Sequence, residues 1–263
     1  MIVEQIWTAN AWRNFNYLIA CPETGEALAI DPLDHEKCLA AAAKHGWKIS
    51  QILNTHEHGD HTGGNSAMVA ATSAKLLAHK NAKDRIPGVD RGIGAGDVIR
   101  VGKTVELEAL DTPGHTMCHI CVLSHTDTPA LFCGDTLFNA GAGNCHNGGH
   151  PNELYDTFAS QLAELPELTE IYPGHDYIAN NLAFTLDREP DNAAARSLME
   201  AVENQDPSKA LVSNLAMEKE VNTFFRLQSP TVIAKLRESF PDLPDTPDAK
   251  TVFLKLRELR NQW

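Results

Sequence analysis

No run of the chain approaches the ~20 consecutive apolar residues that a membrane-spanning helix needs, which speaks against a membrane protein. The N-terminus, Met1-Ile2-Val3-Glu4-Gln5, lacks the basic-then-apolar order of a secretory signal, so the expected location is the cytoplasm. Positive charge is scarce: 22 Lys and Arg stand against 35 Asp and Glu, a net charge of -13. That balance disfavours a nucleic-acid or anionic-membrane surface but leaves room for a local basic pocket. There is no G-x-S-x-G, hence no serine nucleophile of the elbow type, and no repeat at solenoid spacing. The six cysteines (21, 38, 118, 121, 133 and 145) form no dense framework. Most lie in apolar runs and read as buried thiols in a reducing compartment. Cys118-His119-Ile120-Cys121 is formally C-x-x-C, but no second pair exists to complete a four-cysteine site. Arg91 to Gly96 holds G-x-G-x-G, not the dinucleotide spacing, and reads as a turn.

What the chain does have is Thr55-His56-Glu57-His58-Gly59-Asp60-His61. A helix would place His56 and His58 on different faces, and a strand would oppose His61 to the others. A loop can gather all four. Imidazole nitrogens and a carboxylate oxygen are what a divalent first-row metal binds. Four ligands exceed what one catalytic metal usually takes from one loop, which suggests two ions, each needing further ligands from elsewhere. Four apolar runs each end in a turn with a metal-type residue: Ile49 to Leu53 before the His motif, Val105 to Leu110 before Thr112-Pro113-Gly114-His115-Thr116, Ala130 to Cys133 before Gly134-Asp135-Thr136, and Leu168 to Tyr172 before Pro173-Gly174-His175. Loops on one edge of a rigid sheet are where sites tend to sit.

The remaining patterning is coarse but consistent. Ile2 to Trp7, Tyr17 to Cys21 and Ala27 to Ile30 read as strands. The alanine-rich Asp34 to His45 reads as a helix stopped by Gly46, and Lys48 to Leu53 as the next strand. Strand-helix-strand order implies an α/β layered fold. A helix is predicted from Gly63-Gly64 to Thr72. Strands are predicted at 75–78, 97–101, 105–110, 118–123, 130–133 and 169–172, with a helix over 152–165. From about Asp176 the strand pattern stops, and 176–188, 192–204, 207–216, 231–240 and 248–260 read as helices separated by prolines.

The series T-H-x-H-x-D-H, T-P-G-H-T, G-D-T and P-G-H resembles the metallo-β-lactamase superfamily. Within it the chain resembles glyoxalase II, supported by Gly134 to Phe138, Tyr172 to Asn181 and the tail motif Asn222 to Leu227. The resemblance implies an αββα sandwich at residues 1–175 and a C-terminal helical appendage at 176–263 that carries part of the substrate site. It also implies that His56, His58 and His115 hold a first metal ion, that Asp60, His61 and His175 hold a second, and that Asp135 bridges them. Asp31, at a strand end, is the leading candidate to orient the imidazoles. The other seven histidines default to surface or packing roles.

The implied activity is hydrolysis of S-D-lactoylglutathione and related 2-hydroxyacyl thioesters by a hydroxide held between two ions. Zinc is the first expectation, with iron or manganese tolerated by the same donors. Tyr177 and Arg226 are expected to contact the glutathione. One departure stands out: Asn144 and His146 occupy positions where the family usually offers a lysine or arginine and an aromatic. The competing readings are another thioester hydrolase of the superfamily and a mononuclear-iron persulfide dioxygenase. The complete second set of ligands favours hydrolysis. No nucleic-acid or membrane partner is expected, and the chain is expected to be a monomer.

Overall fold

The computed structural model describes residues 1–263. Fourteen strands and nine α-helices alternate along the chain. The first half runs β1 (Ile2–Trp7), β2 (Phe15–Ala20), β3 (Glu26–Ile30), α1 (His35–His45), β4 (Lys48–Leu53), α2 (Gly59–Thr62), α3 (Asn65–Thr72), β5 (Lys75–His79) and β6 (Arg91–Ile93). The second runs β7 (Val98–Val101), β8 (Val105–Asp111), β9 (Ile120–Ser124), β10 (Ala130–Gly134), the small hairpin β11 (Leu137–Phe138) and β12 (Gly141–Ala142), α4 (Pro151–Ser160) and β13 (Glu170–Pro173). The tail holds α5 (Ile178–Arg188), α6 (Ala193–Val202), β14 (Ser213–Asn214), α7 (Leu215–Val221), α8 (Pro230–Ser239) and α9 (Ala249–Arg260).

Two six-stranded sheets form, with orders β1-β2-β3-β4-β5-β6 and β14-β13-β10-β9-β8-β7. Side chains alternate between faces of a strand, and this alternation sorts the core. Phe15, Tyr17 and Ile19 of β2 point inward with Leu107, Val122 and Phe132 of the opposite sheet. Leu18 and Ala20 point outward onto Cys38 and Ala42 of α1 and Met68 of α3. On the far side, Leu131 and Cys133 meet Leu154 and Phe158 of α4 together with Val232, Phe253 and Leu256 of the tail helices. The result is an αββα sandwich with an appended helical tail, the layering that the resemblance implies. Each fully buried large apolar side chain contributes about 1.5–3 kcal/mol relative to exposure. Replacing Phe132 or Phe158 by a small residue would therefore open the sandwich on one face.

Helix α1 begins where Asp34 accepts a hydrogen bond from the Lys37 amide and ends on left-handed Gly46. Three local expectations need correction. The metal motif is not wholly a loop: Asp60 and His61 ride the one-turn helix α2, because Gly59–Thr62 closes backbone bonds onto His58 and Gly59. The helix predicted over 207–216 is instead a short 3-10 turn at Pro207–Lys209, the edge strand β14 and then α7. Ser213 pairs with Ile171 of β13, so a tertiary ladder overrides local propensity there. Strand β9 starts at Ile120, leaving Cys118 in the preceding turn, and all six cysteines are free.

Candidate metal centre and its adjoining cavity

All seven side chains of the proposed ligand set lie at one edge of the sandwich, at the ends of β4, β8, β10 and β13. Two tight glycines allow the approach. Gly134 holds φ at +45°, where a Cβ would stand 2.5 Å from Thr55 Oγ1. At Gly174 a Cβ would meet Asp135 Oδ1 at 2.3 Å. His56, His58 and His115 form one cluster of ligand atoms within 4.8 Å of one another, and Asp60, His61 and His175 form another. Asp135 touches both. One carboxylate oxygen is 3.5 Å from His115 Nε2 and 3.2 Å from His175 Nε2, and the other is 3.3 Å from His61 Nε2.

The hydrogen bonds behind the imidazoles decide which nitrogen is bare. His61 Nδ1–H donates to Asp31 at 3.0 Å. His175 Nδ1–H donates to the Trp12 carbonyl at 2.7 Å. His115 Nδ1–H donates to the Asn144 carbonyl at 2.6 Å, and His58 Nε2–H to the Asn147 carbonyl at 3.0 Å. Thr55 spends its hydroxyl proton on Asp31 at 2.6 Å, so its oxygen accepts from His56 Nδ1–H at 3.0 Å. Every proton therefore sits on the outside, which fixes the tautomer. The five inward nitrogens are lone pairs facing each other. His58 Nδ1 lies 3.0 Å from His56 Nε2 and 3.0 Å from His115 Nε2, and His61 Nε2 lies 3.2 Å from His175 Nε2. Asp135 Oδ1 is buried with no hydrogen-bond partner. Such a set is satisfied by cations, and the cluster is able to bind metal ions.

Electrostatics mark the cluster as a place for positive charge. Burial disfavours a charged His61, but Asp135 and Asp31 beside it outweigh that and hold its pKa well above the ordinary value, and a bound cation would supply that charge in place of a proton. Burial opposes the charge on Asp135, but neighbouring His175 and His61 outweigh it and hold the carboxyl well below its ordinary range. Burial, with His61 alongside, keeps His56 well below its usual value and thus neutral. Glu57, inside the motif but outside the ligand set, is turned away to Arg85 at 2.5 Å and Thr116 at 2.9 Å.

Asp31 reaches further than a turn residue. It accepts from the Thr55 amide and hydroxyl and from His61, so one carboxylate braces both clusters. His119, placed by sequence among packing residues, is fully buried behind the centre. Its Nε2 accepts the Asp135 amide at 3.2 Å, and its Nδ1 sits 2.9 Å from Thr112 Oγ1 and 3.1 Å from Thr136 Oγ1. Asn14 donates to the carbonyl and carboxylate of Asp60 at 3.2 and 3.3 Å. Neither carried a signal beyond its bare identity, although His119 follows His115 by four residues in the T-P-G-H-T turn.

A cavity of about 480 Å³ opens onto the cluster, lined by His58, Asp60, His115, Asp135 and His175 together with Trp12, Leu33, Phe138, Asn144 and Tyr177. A second, of about 220 Å³, shares Phe138, Asn144 and Tyr177 and adds His146, Arg257, Arg260 and Trp263. Tyr177, Asn144 and His146 thus border the place expected of them. Arg226 does not, and its expected role is corrected. Its guanidinium forks onto Glu189 at 2.5 and 2.7 Å, tying the tail motif to the end of α5. The cations at the cavity are Arg257 and Arg260 of α9. Arg257 is 4% exposed, lacks a carboxylate partner, and donates to the carbonyls of Ala142 and Gly143 at 2.8 and 2.9 Å. Burial lowers its pKa to about 10, still charged at neutral pH. Arg260 donates to Asn181 at 3.1 Å. Two cations without counter-charges, facing one cavity in a chain of net charge -13, form the local basic pocket that composition left open.

The family model described as the metallo-beta-lactamase superfamily matches residues 16–175, and that described as the hydroxyacylglutathione hydrolase C-terminus matches residues 176–263. A hydroxyacylglutathione hydrolase of Polaromonas sp. is 74% identical over 263 residues, the full length of both chains. One from Nitrosococcus oceani is 69% identical over the same span. The crystal structure of ETHE1 from Myxococcus xanthus superposes with a TM-score of 0.68 at 27% identity, covering 93% of this chain and 92% of that one.

Proposed function

This chain belongs to the hydroxyacylglutathione hydrolase family of metallo-β-lactamase-fold enzymes, and from that premise we propose that its seven converging side chains hold two divalent ions. The protein is a thioester hydrolase of glyoxalase II type. The substrate proposed for it is S-D-lactoylglutathione, cleaved to D-lactate and glutathione in methylglyoxal detoxification. The observation that carries the reading is the ring of bare nitrogens: five imidazoles spend their protons outward and face one another at about 3 Å. His56, His58 and His115 would hold one ion, Asp60, His61 and His175 the other, and Asp135 both. Zinc fits these nitrogen and oxygen donors, as do iron and manganese. A division at residues 175 and 176 into a metal-binding and a substrate-binding unit is proposed on the same grounds.

When bound, such ions lower the pKa of water to near neutrality and polarise a carbonyl oxygen. The protein's own groups do the rest. Asp31, Thr55 and His119 hold the imidazoles and Asp135 in one geometry, so little reorganisation accompanies reaction. Arg257 and Arg260 offer charge-assisted donors for the carboxylates of the glutathione tripeptide, and Tyr177 and His146 offer further donors. A thiolate leaves without strong general-acid help, so the reaction needs no side-chain acid at that step. The deciding experiment is a hydrolysis screen of metal-loaded protein against thioesters of glutathione, coenzyme A and simple thiols. Preference for the glutathione series supports the reading. Faster cleavage of another carrier's thioester would assign the basic pocket to that carrier.

A further inference from the structure

A thioester has two arms, and the cavities offer two ends. Phe138, Asn144 and Tyr177 border both cavities, so the two adjoin along that wall. Beyond it lie Arg257 and Arg260, which suit the charged carrier arm. Trp12, Leu33, Gly59 and Asp60 border only the metal cavity. With the carbonyl at the ligand cluster, the acyl arm is left with the Trp12 and Leu33 end.

Trp12 is 60% exposed, among the largest apolar exposures in the chain. A lone surface indole needs no explanation, but this one is fixed at the rim of the reacting cavity. Its carbonyl accepts from His175. Arg13 beside it is anchored on the backbone and carboxylate of Asp176 and lies 5.0 Å over the Trp7 ring. Asn10 and Asn14 exchange hydrogen bonds at 2.7 and 3.1 Å, and Thr8 Oγ1 donates to the Asn14 carbonyl at 2.9 Å. The loop is stitched from both sides, with φ at 59° for Ala9 and 61° for Arg13. The indole borders the cavity from a loop whose backbone is already tied down, which lowers the ordering cost on binding.

Building on the function proposed above, we propose that Trp12, with Leu33, forms an apolar acyl subsite that favours 2-hydroxyacyl groups carrying a large apolar substituent. The methyl of a lactoyl group covers little of the indole. A phenyl substituent, as in a mandeloyl group, covers much of it, removing apolar area from water in substrate and transition state alike.

The test measures kcat/KM of the metal-loaded enzyme for S-D-mandeloylglutathione and S-D-lactoylglutathione in the wild type, Trp12→Ala and Trp12→Phe. Hydrophobic pockets discriminate by about 10- to 200-fold per small apolar group, and for a rim residue the low end applies, so the mandeloyl-to-lactoyl ratio is expected to fall about tenfold in Trp12→Ala. Trp12→Phe should restore most of it. The ratio is taken within one preparation, so loss of folded protein cancels. An unchanged ratio overturns the subsite: equal losses on both substrates would make Trp12 only a support for the His175 loop, and no loss would place it outside the site. A wild type that cleaves neither thioester overturns the functional reading and the subsite together. Cleavage of both with an insensitive ratio overturns the subsite alone.

Discussion

Asp31 sits at φ 48°, an uncommon angle for a residue other than glycine, and from there it accepts three hydrogen bonds reaching both ligand clusters. Removing it should loosen His56 and His61 together. Asp31→Ala is expected to weaken metal binding about 10- to 100-fold, the usual effect of losing a partner behind a metal-binding imidazole. Titration with a competing chelator checks this, and retained affinity would assign Asp31 to the turn alone. Three arginines bear on a role that the sequence reading gave to Arg226 alone. Arg226 sits in a tail motif that resembles a family signature, so its identity was legible but its direction was not. Only the fold shows it clamped on Glu189. Arg257 and Arg260 lie in an ordinary-looking amphipathic helix, where nothing local marks the face that meets a cavity over a hundred residues earlier in the chain. Arg260→Ala is expected to raise KM for the glutathione thioester about tenfold, a loss of about 1.4 kcal/mol, with kcat little changed because the contact is remote from the carbonyl. A fall in kcat alone would contradict the placement.

At the scale of elements, the helices of the tail pack on the sandwich through apolar side chains and are tied to one another by buried polar contacts. Glu189, just past α5, gathers Arg226, Ser229 and Asn192. Burial alone would raise its pKa, but the hydrogen bonds from those groups outweigh it and hold the carboxyl below its ordinary value. A depressed folded-state pKa contributes stability above the unfolded value and loses it as pH falls through the folded one. Arg226→Met should therefore destabilise the protein by about 2 kcal/mol at pH 7, less than the ~3–5 expected of a fully buried pair, because the Arg226 side chain is 30% exposed. The difference from wild type should shrink as the pH falls below the ordinary carboxylate value and through the depressed one of Glu189. Denaturant midpoints at pH 7 and in acid check it, and a difference that grew in acid would contradict the assignment. The turn after β12 makes a second case. Asn144 gives its carbonyl to His115, so the backbone of this turn serves the metal centre whatever the side chain. Asn144→Lys should then leave kcat nearly unchanged and lower KM by about tenfold through one added charged contact. An unchanged KM would show that the carrier does not reach this wall.

At the scale of the molecule, most strands and the four ligand-bearing turns were legible, because apolar runs and Gly- or Pro-marked turns are local features. The αββα layering came from the family resemblance, and the sheet order, set by partners distant in sequence, came only from the fold. The strand Ser213–Asn214, the small hairpin after Asp135 and the helical turn carrying Asp60 and His61 were not, since each depends on a partner distant in sequence or on closing a single turn. His119 was missed for the same reason: its value lies in touching the Asp135 amide, which spacing does not reveal. If the seven side chains are a two-ion centre, the metal content of the protein must show it. Elemental analysis of protein purified without chelator, then dialysed against excess divalent metal, tests it most directly. Two equivalents per chain are predicted, with hydrolysis of S-D-lactoylglutathione rising with the second and Asp60→Ala retaining one. A firm value of one equivalent in the wild type, with no gain of activity on adding metal, would contradict it.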